Sequence, residues 1–452
     1  MSPFGFTPDN NDEENPKPDD FAAMMRQMQE QIQKQFQELG INPAGFINPF
    51  ANFAPGAKGQ QDALPIATVR DTAKKFVQAQ GSQPLGTKDV TVVNNALEIA
   101  ELWLNEATVF PATAIGAAHT SLSRLDWVDE TLPGWQATME PLATGLATAI
   151  SSLLDQAIAG QGGADADGQE DALAALAGSM GAIAGLLRSF IGSMIATQLG
   201  QAIGAISSNA TGAHDVALPL LDPARPILIP ENIEKWSADL EIPKTEVYLF
   251  HALREAAIAR LFAHNPWIVS YMRSAIVEYG RGIRIDMEAI QRQAEEAMQN
   301  FDPTQMNPES GANSFNIALN NGIFTPEETP EQRAALSKLE TALALVDGWA
   351  DEVTTLASGD RLPSITQLRE IYRRQRATSA PAQQLFKSLL GLEVSPKLTR
   401  EASAFWQKVR ESKDVASRDA LWSGILPSAE ELLDPVAFLS STQVPDDLSG
   451  LL

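Results

Sequence analysis

The sequence predicts a mainly α-helical fold with little or no β-sheet, and three observations support this prediction. Apolar residues recur at spacings of three and four along most of the chain from Leu64 onward, which is typical of amphipathic helices. Strand and helix patterns do not alternate, and no internal repeat is evident. The best candidate for a strand, ARPILIP, is short because proline stands on both sides of its apolar core.

The domain organisation follows from changes in composition. Residues 1–62 are predicted to be a disordered acidic region that contains one amphipathic, Met-rich helix from Phe21 to Leu39 and a Gly/Pro-interrupted tether. That helix could dock on its own domain, bind a partner or stay free. Residues 63–440 are predicted to form a single large helical domain, with two lobes as an open alternative, and residues 441–452 a polar tail.

Helices are predicted in order along this domain. The early ones are IATVRDTAKKFVQAQ, VTVVNNALEIAELWLNEAT and WQATMEPLATGLATAISSLLDQAIA, and residues 160–169 form a loop after them. Pro243 and Pro266 suit the first turns of two helices, KTEVYLFHALREAAIARLFAH and PWIVSYMRSAIVEYGRG. A helix around 288–300, a polar loop, a helix from about 333 to 356 and three or four shorter helices complete the chain.

One glycine-rich segment, residues 172–205, is apolar enough to be compared with a membrane span. Its pairs Gly181/Gly185 and Gly200/Gly204 would allow close helix contact. Arg188, Gln198 and Gln201 would each raise the free energy of the segment in lipid. We therefore expect a buried hairpin or a bent helix instead of a membrane span.

Composition limits the partners and the compartment. The net charge of −24 would repel nucleic-acid phosphates and anionic lipids, so a protein or peptide partner is expected rather than nucleic acid or membrane. The chain has no cysteine, and its N-terminal residues show no secretory pattern, so we expect a cytoplasmic protein. The sequence does not indicate an oligomeric state.

The stretch LREAAIARLFAHNPW contains a helical segment spaced like a zinc-protease motif. In His-Glu-x-x-His, two histidines four residues apart bind one Zn²⁺ and the glutamate deprotonates the metal-bound water. Here Arg254 and Ile258 occupy the histidine positions, and Glu255 remains at the position of the general base. Arginine offers only donors and isoleucine offers no ligand atom, so neither can bind the metal.

The order of several stretches identifies the chain as similar to a bacterial family of zincin-like hydrolases and zinc-dependent metalloproteases. The similarity runs from about Ala96 to Pro435 and includes ALEIAELWLNEAT, HDVALPLLDP, LREAA with RLFAHNPW, LVDGWADEV and RDALWSGILPSAEELLDP. Members that conform better resemble LHEVTH followed by PW, and further on E-G-H-x-D-H-V. On that pattern Asp347 matches a third ligand, whereas Trp349 and Glu352 replace two histidines.

This resemblance implies a zincin-like helical core, and zinc is the cofactor that the family would lead one to expect. The vestigial ligand positions would be Arg254, Ile258 and Asp347, with Glu255 as the catalytic residue. Two functions stay open: a metalloprotease-related hydrolase with a degenerate metal site, or a non-catalytic binding or scaffolding protein. We expect the Arg254 guanidinium to hydrogen-bond Asp347, Glu255 or Glu352, and Ile258 to pack in the same cleft.

Other residues offer weaker alternatives. His251 could join Glu255 and a distant carboxylate in a rebuilt metal site, or pair with Glu255 or a neighbouring group. Glu278 has the spacing of a third zinc ligand, but an ion pair with Arg281 or Arg284 is simpler. His264 is expected to end one helix. The basic face Arg369, Arg373, Arg374 and Arg376 is expected to form ion pairs, with an anion or acidic-partner site as the alternative.

Overall fold

A computed structural model of the chain describes residues 63–113, 120–161, 192–283, 329–379, 398–424 and 426–441. All of them belong to one unit, Gln61–Leu452. Within these ranges the chain is helical, with short 3-10 turns and two isolated β-bridges, which confirms the mainly α class. Several predicted features lie outside the described residues: the helix from Phe21 to Leu39, the Gly181/Gly185 pair, the helix around 288–300, the loop after it and the tail from 442. The domain boundaries stay predictions.

Twelve helical segments are described. We number them α1 Ile66–Gln80, α2 Thr87–Ala107, α3 Arg124–Gln161, α4 (helical residues 192–207), α5 Pro230–Trp236, α6 Lys244–His264, α7 Pro266–Arg281, α8 Pro330–Ser358, α9 Ile365–Ser379, α10 Leu398–Ser412, α11 Val415–Ala420 and α12 Pro435–Ser441. Short 3-10 turns occupy Gly359–Arg361, Leu421–Ser423 and Glu431–Leu433. The bounds of α6 and α7 agree with the prediction, because a proline immediately precedes α6 and a proline begins α7.

The start of α3 corrects the sequence prediction. The apolar pattern suggested a helix from Trp135, but α3 begins at Arg124 and runs through Pro133 and Pro141. Ser123 accepts a hydrogen bond from the backbone of Asp126 and donates one to its carboxylate. This Ser-x-x-Asp arrangement caps the helix, and it is the sequence signal that the apolar pattern did not use.

The strand candidate forms no regular strand. Leu228 makes one parallel bridge to Ser121 and one antiparallel bridge to Gly212. The backbone of Leu228 exchanges hydrogen bonds of 2.8 and 3.0 Å with the segment 120–122, and its neighbours bond the segment 211–213 on the other side. The flanking prolines limit the extended segment 227–229 to these few bonds.

Helix α6 lies at the centre of the described core. Every residue from Val247 to Phe262 is buried, which is the pattern of a helix surrounded by other elements. It packs against α2, α5, α7, α8 and α9. Any polar side chain in the middle of α6 must therefore find its partner inside the protein.

Helix α4 contains the described part of the glycine-rich segment. A Cβ atom added at Gly200 would lie 2.7 Å from the carbonyl oxygen of Val69, and one added at Gly204 would lie 2.8 Å from Cβ of Phe76. Both glycines therefore face α1 closely, as expected. No described helix is long and apolar enough to cross a membrane.

Candidate functional site

The motif positions of α6 face a small cavity. Helical spacing places His251, Arg254, Glu255 and Ile258 along one side of the helix, and all four line the cavity together with Thr211 and other residues of the 211–228 region. The cavity has a volume of about 10 Å³, close to the space that one water molecule needs. A peptide could not enter it without a rearrangement of the core.

Arg254 joins α6 to α8. Its Nη2 donates a hydrogen bond to Oδ1 of Asp347, and Nη1 lies 3.7 Å from Oδ1 of Asp351. The guanidinium carbon lies 4.2 Å from the ring centroid of Tyr372. Burial alone would lower the pKa of Arg254, but Tyr372 and the two carboxylates outweigh burial and raise the pKa above its usual range. The predicted contact between Arg254 and Asp347 is confirmed.

The Glu255 carboxylate is held by groups from other parts of the chain. Its Oε1 accepts hydrogen bonds from the backbone N–H groups of Ala213 and Ile227, and Oε2 accepts one from the backbone of His214. The Nδ1 atom of His214 lies 2.8 Å from Oε1. A Cβ atom at Gly212 would lie 2.3 Å from Oε2, so only glycine fits beside the carboxylate.

Ile258 packs against the same cavity, as expected, and is 2% exposed. It lies one helical turn after Arg254 and Glu255 and presents no atom that could bind a metal ion. The two histidine positions of the motif are thus occupied by a paired cation and a buried aliphatic side chain.

His251 does not pair with Glu255. Its Nδ1 lies 3.1 Å from Oγ1 of Thr211, and its ring meets Trp236 edge-on at 4.7 Å between centroids. Burial, followed by the nearby charges of Arg254 and Arg376 and partly opposed by Asp215, lowers the pKa of His251 to about 4. Among the described residues, no three His, Asp or Glu side chains are placed to hold one metal ion.

The remaining candidates on α6 and α7 have structural contacts. Glu278 forms an ion pair of 2.8 Å with Lys338, not with Arg281 as expected from the sequence, because α7 packs on α8; Arg284 lies outside the described residues. His264 ends α6, as expected, and its Nε2 lies 3.1 Å from the carbonyl oxygen of Pro111.

Two positions that match histidines in the resemblance also have other partners. Trp349 is fully buried and donates a hydrogen bond of 2.9 Å from Nε1 to Asp419. Glu352 pairs with Arg410. Burial raises the pKa of Glu352, against the effect of Arg410. Arg254 forms none of its described hydrogen bonds or ion pairs with either side chain.

The basic face of α9 forms ion pairs, which confirms the leading interpretation. Nη2 of Arg369 and Nη2 of Arg373 lie 2.7 and 2.6 Å from Oδ2 of Asp351. Burial would raise the pKa of Asp351, but these arginines and Arg254 lower it well below its usual range. On the outer face, Arg374 pairs with Glu370.

Sequence reasoning missed one part of the site, the pair Asp215 and Tyr372. The Tyr372 hydroxyl donates to Oδ1 of Asp215 at 2.8 Å, and Arg376 lies 3.2 Å from the same oxygen. Burial would raise the pKa of Asp215, but Arg376 and the hydrogen bonds from Thr211 and Tyr372 lower it. The sequence signal for this pair was Asp215, a charged residue within the mostly apolar stretch HDVALPLLDP.

Comparisons with known proteins agree with this architecture. The family model described as zincin-like metallopeptidase matches residues 66–439. A solved structure described as a putative hydrolase with a novel fold, from Chloroflexus aurantiacus, is similar with a TM-score of 0.55 and 16% identity, over 84% of this chain and 98% of that chain. This likeness shows the fold alone. No curated protein matches the chain. Because the family model covers most of its length, the chain belongs to the zincin-like metallopeptidase family.

Proposed function

We propose that this chain is a non-catalytic member of its family, which keeps the zincin-like fold and binds a protein or peptide instead of hydrolysing it. The observation that carries the proposal is the contact between Arg254 and Asp347. A fixed positive charge occupies the helix position of a metal ligand and is paired with the carboxylate of the expected third ligand. The guanidinium of Arg254 thereby supplies the positive charge that a bound metal ion would supply in the family motif.

The residues at the motif do not fit a zinc ion. Zinc requires thiolate, imidazole or carboxylate ligands, usually four including water, at about 2.0–2.3 Å. Arg254 is always protonated and presents only donors, and Ile258 presents none. His214 and His251 hold Glu255 and Thr211 through Nδ1, and the Nε2 atom of each ring has no hydrogen-bond partner. Among the described residues, however, no set of three His, Asp or Glu side chains is placed to hold one metal ion. No reaction step is therefore assigned to a metal at this position.

Glu255 is poorly suited to act as a general base. A base must reach the proton that it abstracts, at about 2.6–3.2 Å or through one water. Each oxygen of Glu255 already accepts from at least one backbone N–H group, and the side chain is 4% exposed. This carboxylate ties the segments around Ala213 and Ile227 to α6, which is a structural role.

The extended segment beside α6 also has little capacity to bind a peptide as an added strand. Strand addition requires a row of free backbone groups. The N–H of Thr211 donates to Asp215 and its carbonyl accepts from Ile229. The carbonyl of Gly212 accepts from Nε1 of Trp127. A partner would have to bind elsewhere on the domain.

A hydrolysis assay tests this proposal. Untagged protein is incubated with casein and with a mixed peptide library, with and without added Zn²⁺, beside a Glu255→Gln variant whose fold is checked by circular dichroism. We expect no turnover above that of the variant and no effect of a zinc chelator. Turnover that the chelator abolishes, or that Glu255→Gln abolishes while the fold persists, would overturn the proposal. The cytoplasmic location stays a prediction from the sequence.

A further inference from the structure

The buried charge cluster between α6, α8 and α9 contains more cations than anions. Its guanidinium groups are those of Arg254, Arg369, Arg373 and Arg376. The carboxylates that they contact in these pairs are Asp215, Asp347 and Asp351. The four guanidinium groups share these three carboxylates, which leaves one positive charge in excess within these pairs, in a chain whose net charge is −24. Glu352 and Glu370 also lie near Arg369 and Arg373, but they pair with Arg410 and Arg374. A partly buried charge without a counterion is costly, so an excess cation requires an explanation.

The excess lies at the outer end of the cluster. The side chain of Arg254 is 5% exposed, whereas those of Arg369 and Arg373 are 21% and 35% exposed. Arg369 and Arg373 are four residues apart on α9, where like charges repel each other. Both donate to the same oxygen of Asp351, which also accepts a hydrogen bond of 2.7 Å from Ser403. That oxygen therefore accepts three hydrogen bonds and has no capacity for another donor.

Arg373 keeps free donors for a ligand. Only its Nη2 atom takes part in the hydrogen bonds described, to Asp351 at 2.6 Å and to Ser403 at 3.5 Å. Its Nε and Nη1 donate to none of the described groups and are not buried. A guanidinium with one edge anchored and another edge open is suited to a bidentate contact with an oxyanion.

We propose that Arg373, held in place by Asp351 and supported by Arg369, is an anion-binding site that takes a carboxylate group of a bound acidic peptide. Inorganic phosphate shares the oxyanion chemistry and is the other possible source of the ligand. The site rests on the proposed binding function, since it supplies a recognition point outside the small cavity at Glu255. The strongly acidic surface repels anions at long range, so recognition depends on short-range hydrogen bonds at this arginine.

Titration calorimetry at fixed salt concentration tests the site with two probes, inorganic phosphate and an N-acetylated peptide rich in glutamate. Arg-selective ¹⁵N labelling reports which Nε signal moves. Arg373→Gln is compared with Arg374→Gln, a matched control because Arg374 is the next residue, is 77% exposed and pairs with Glu370. Arg373→Lys keeps the charge but removes the bidentate geometry.

We expect the peptide to shift the Arg373 Nε signal, Arg373→Gln to weaken binding about tenfold or more, Arg373→Lys to weaken it less, and Arg374→Gln to leave it unchanged. If neither probe binds, or if Arg373→Gln and Arg374→Gln weaken binding equally, the site is refuted. Binding of phosphate alone would refute the peptide as the source of the anion. Peptide hydrolysis in the separate assay would overturn the proposed function without affecting these binding results.

Discussion

Nδ1 of His214 lies 2.8 Å from Oε1 of Glu255, and both side chains are almost completely buried. The backbone of His214 also donates to this carboxylate, so one residue contacts it twice. Hydrogen bonds to a charged group are stronger than neutral ones, especially in a buried site. The glutamate of the motif is therefore a clamp between α6 and the segment that follows α4.

Replacement of Glu255 by glutamine should destabilise the protein. The amide oxygen can replace only one carboxylate oxygen, and the amide N–H₂ would face backbone donors. We expect the free energy of unfolding in urea to fall by about 3 kcal/mol. Glu246→Gln on the same helix is the control, since Glu246 accepts one backbone N–H, that of Ser364, and its replacement should cost about 1 kcal/mol. Equal losses for the two variants would contradict the role of Glu255 as a clamp.

The ion pair between α6 and α8 can be measured by a double-mutant cycle. Arg254→Ala leaves Asp347 without its closest cation, and we expect a loss of about 3–5 kcal/mol. Asp347→Leu alone should also lower the free energy of unfolding, because it leaves Arg254 without its closest carboxylate. The double variant Arg254→Met/Asp347→Leu should lose clearly less than the sum of the single variants. Additive losses would show that the two side chains do not interact.

Restoring one motif histidine should not create a zinc site. In Ile258→His, Arg254 still holds Asp347, so only one new ligand is available and tight binding requires more. We expect no stoichiometric zinc after dialysis of this variant. The comparator Arg254→His/Ile258→His supplies two imidazoles four residues apart and should bind zinc more tightly. Stoichiometric zinc in the single variant would mean that other side chains complete a site.

The sequence predicted the helices and the Arg254 contact for different reasons. The bounds of α6 follow from Pro243 and Pro266, which act locally. The contact with Asp347 followed from the family resemblance, which aligned two helices distant in sequence. The clamp at Glu255 could not be predicted, because its partners are backbone N–H groups 28 to 42 residues away. Backbone donors have no side-chain signature, so only the packed structure brings them together.

The contact of His251 shows the same limit. Helical spacing suggested Glu255 as its partner, since the two are four residues apart. Tertiary packing instead places Thr211, 40 residues away, next to its ring. The arginines on α9 were visible in the sequence. Their contacts with Asp351 on α8 and with Asp215 in the segment after α4 depend on how α9 packs against both.

Stability should depend on pH through His251. Its pKa is about 4 in the folded protein, below the ordinary value of 6.5. The unfolded chain therefore binds more protons between these two pH values. The contribution of His251 to the free energy of unfolding has its full value above about pH 6.5, and the free energy of unfolding falls by about 3 kcal/mol as the pH drops toward 4. Below that range, Asp215 and Asp351, whose pKa values are lowered, add a further loss as they become protonated.

His251→Phe separates this contribution from those of other groups. The variant keeps an aromatic ring beside Trp236 but cannot be protonated. Urea unfolding between about pH 6.5 and 4 should show a much smaller decline for His251→Phe than for the native protein. The same slope for both proteins would rule out His251 as the source.

Close packing of α4 on α1 gives an independent prediction about the fold. Gly200→Leu places a side chain where a Cβ atom alone would lie 2.7 Å from Cβ of Thr72. We expect a loss of about 1–3 kcal/mol from overpacking. Gly424→Ala is the control, because its nearest neighbour would lie 3.8 Å from the added Cβ. Thermal unfolding should be shifted by the first change and not by the second.

If Arg254 replaces the metal in this chain, the purified protein should hold no zinc, so its metal content is the measurement to make. The protein is prepared without a histidine tag, exposed to Zn²⁺, dialysed against metal-free buffer and analysed by inductively coupled plasma mass spectrometry. We expect zinc far below one ion per chain, and no change in zinc content for Glu255→Gln or Asp347→Asn. One tightly held zinc per chain, reduced by either substitution, would contradict it.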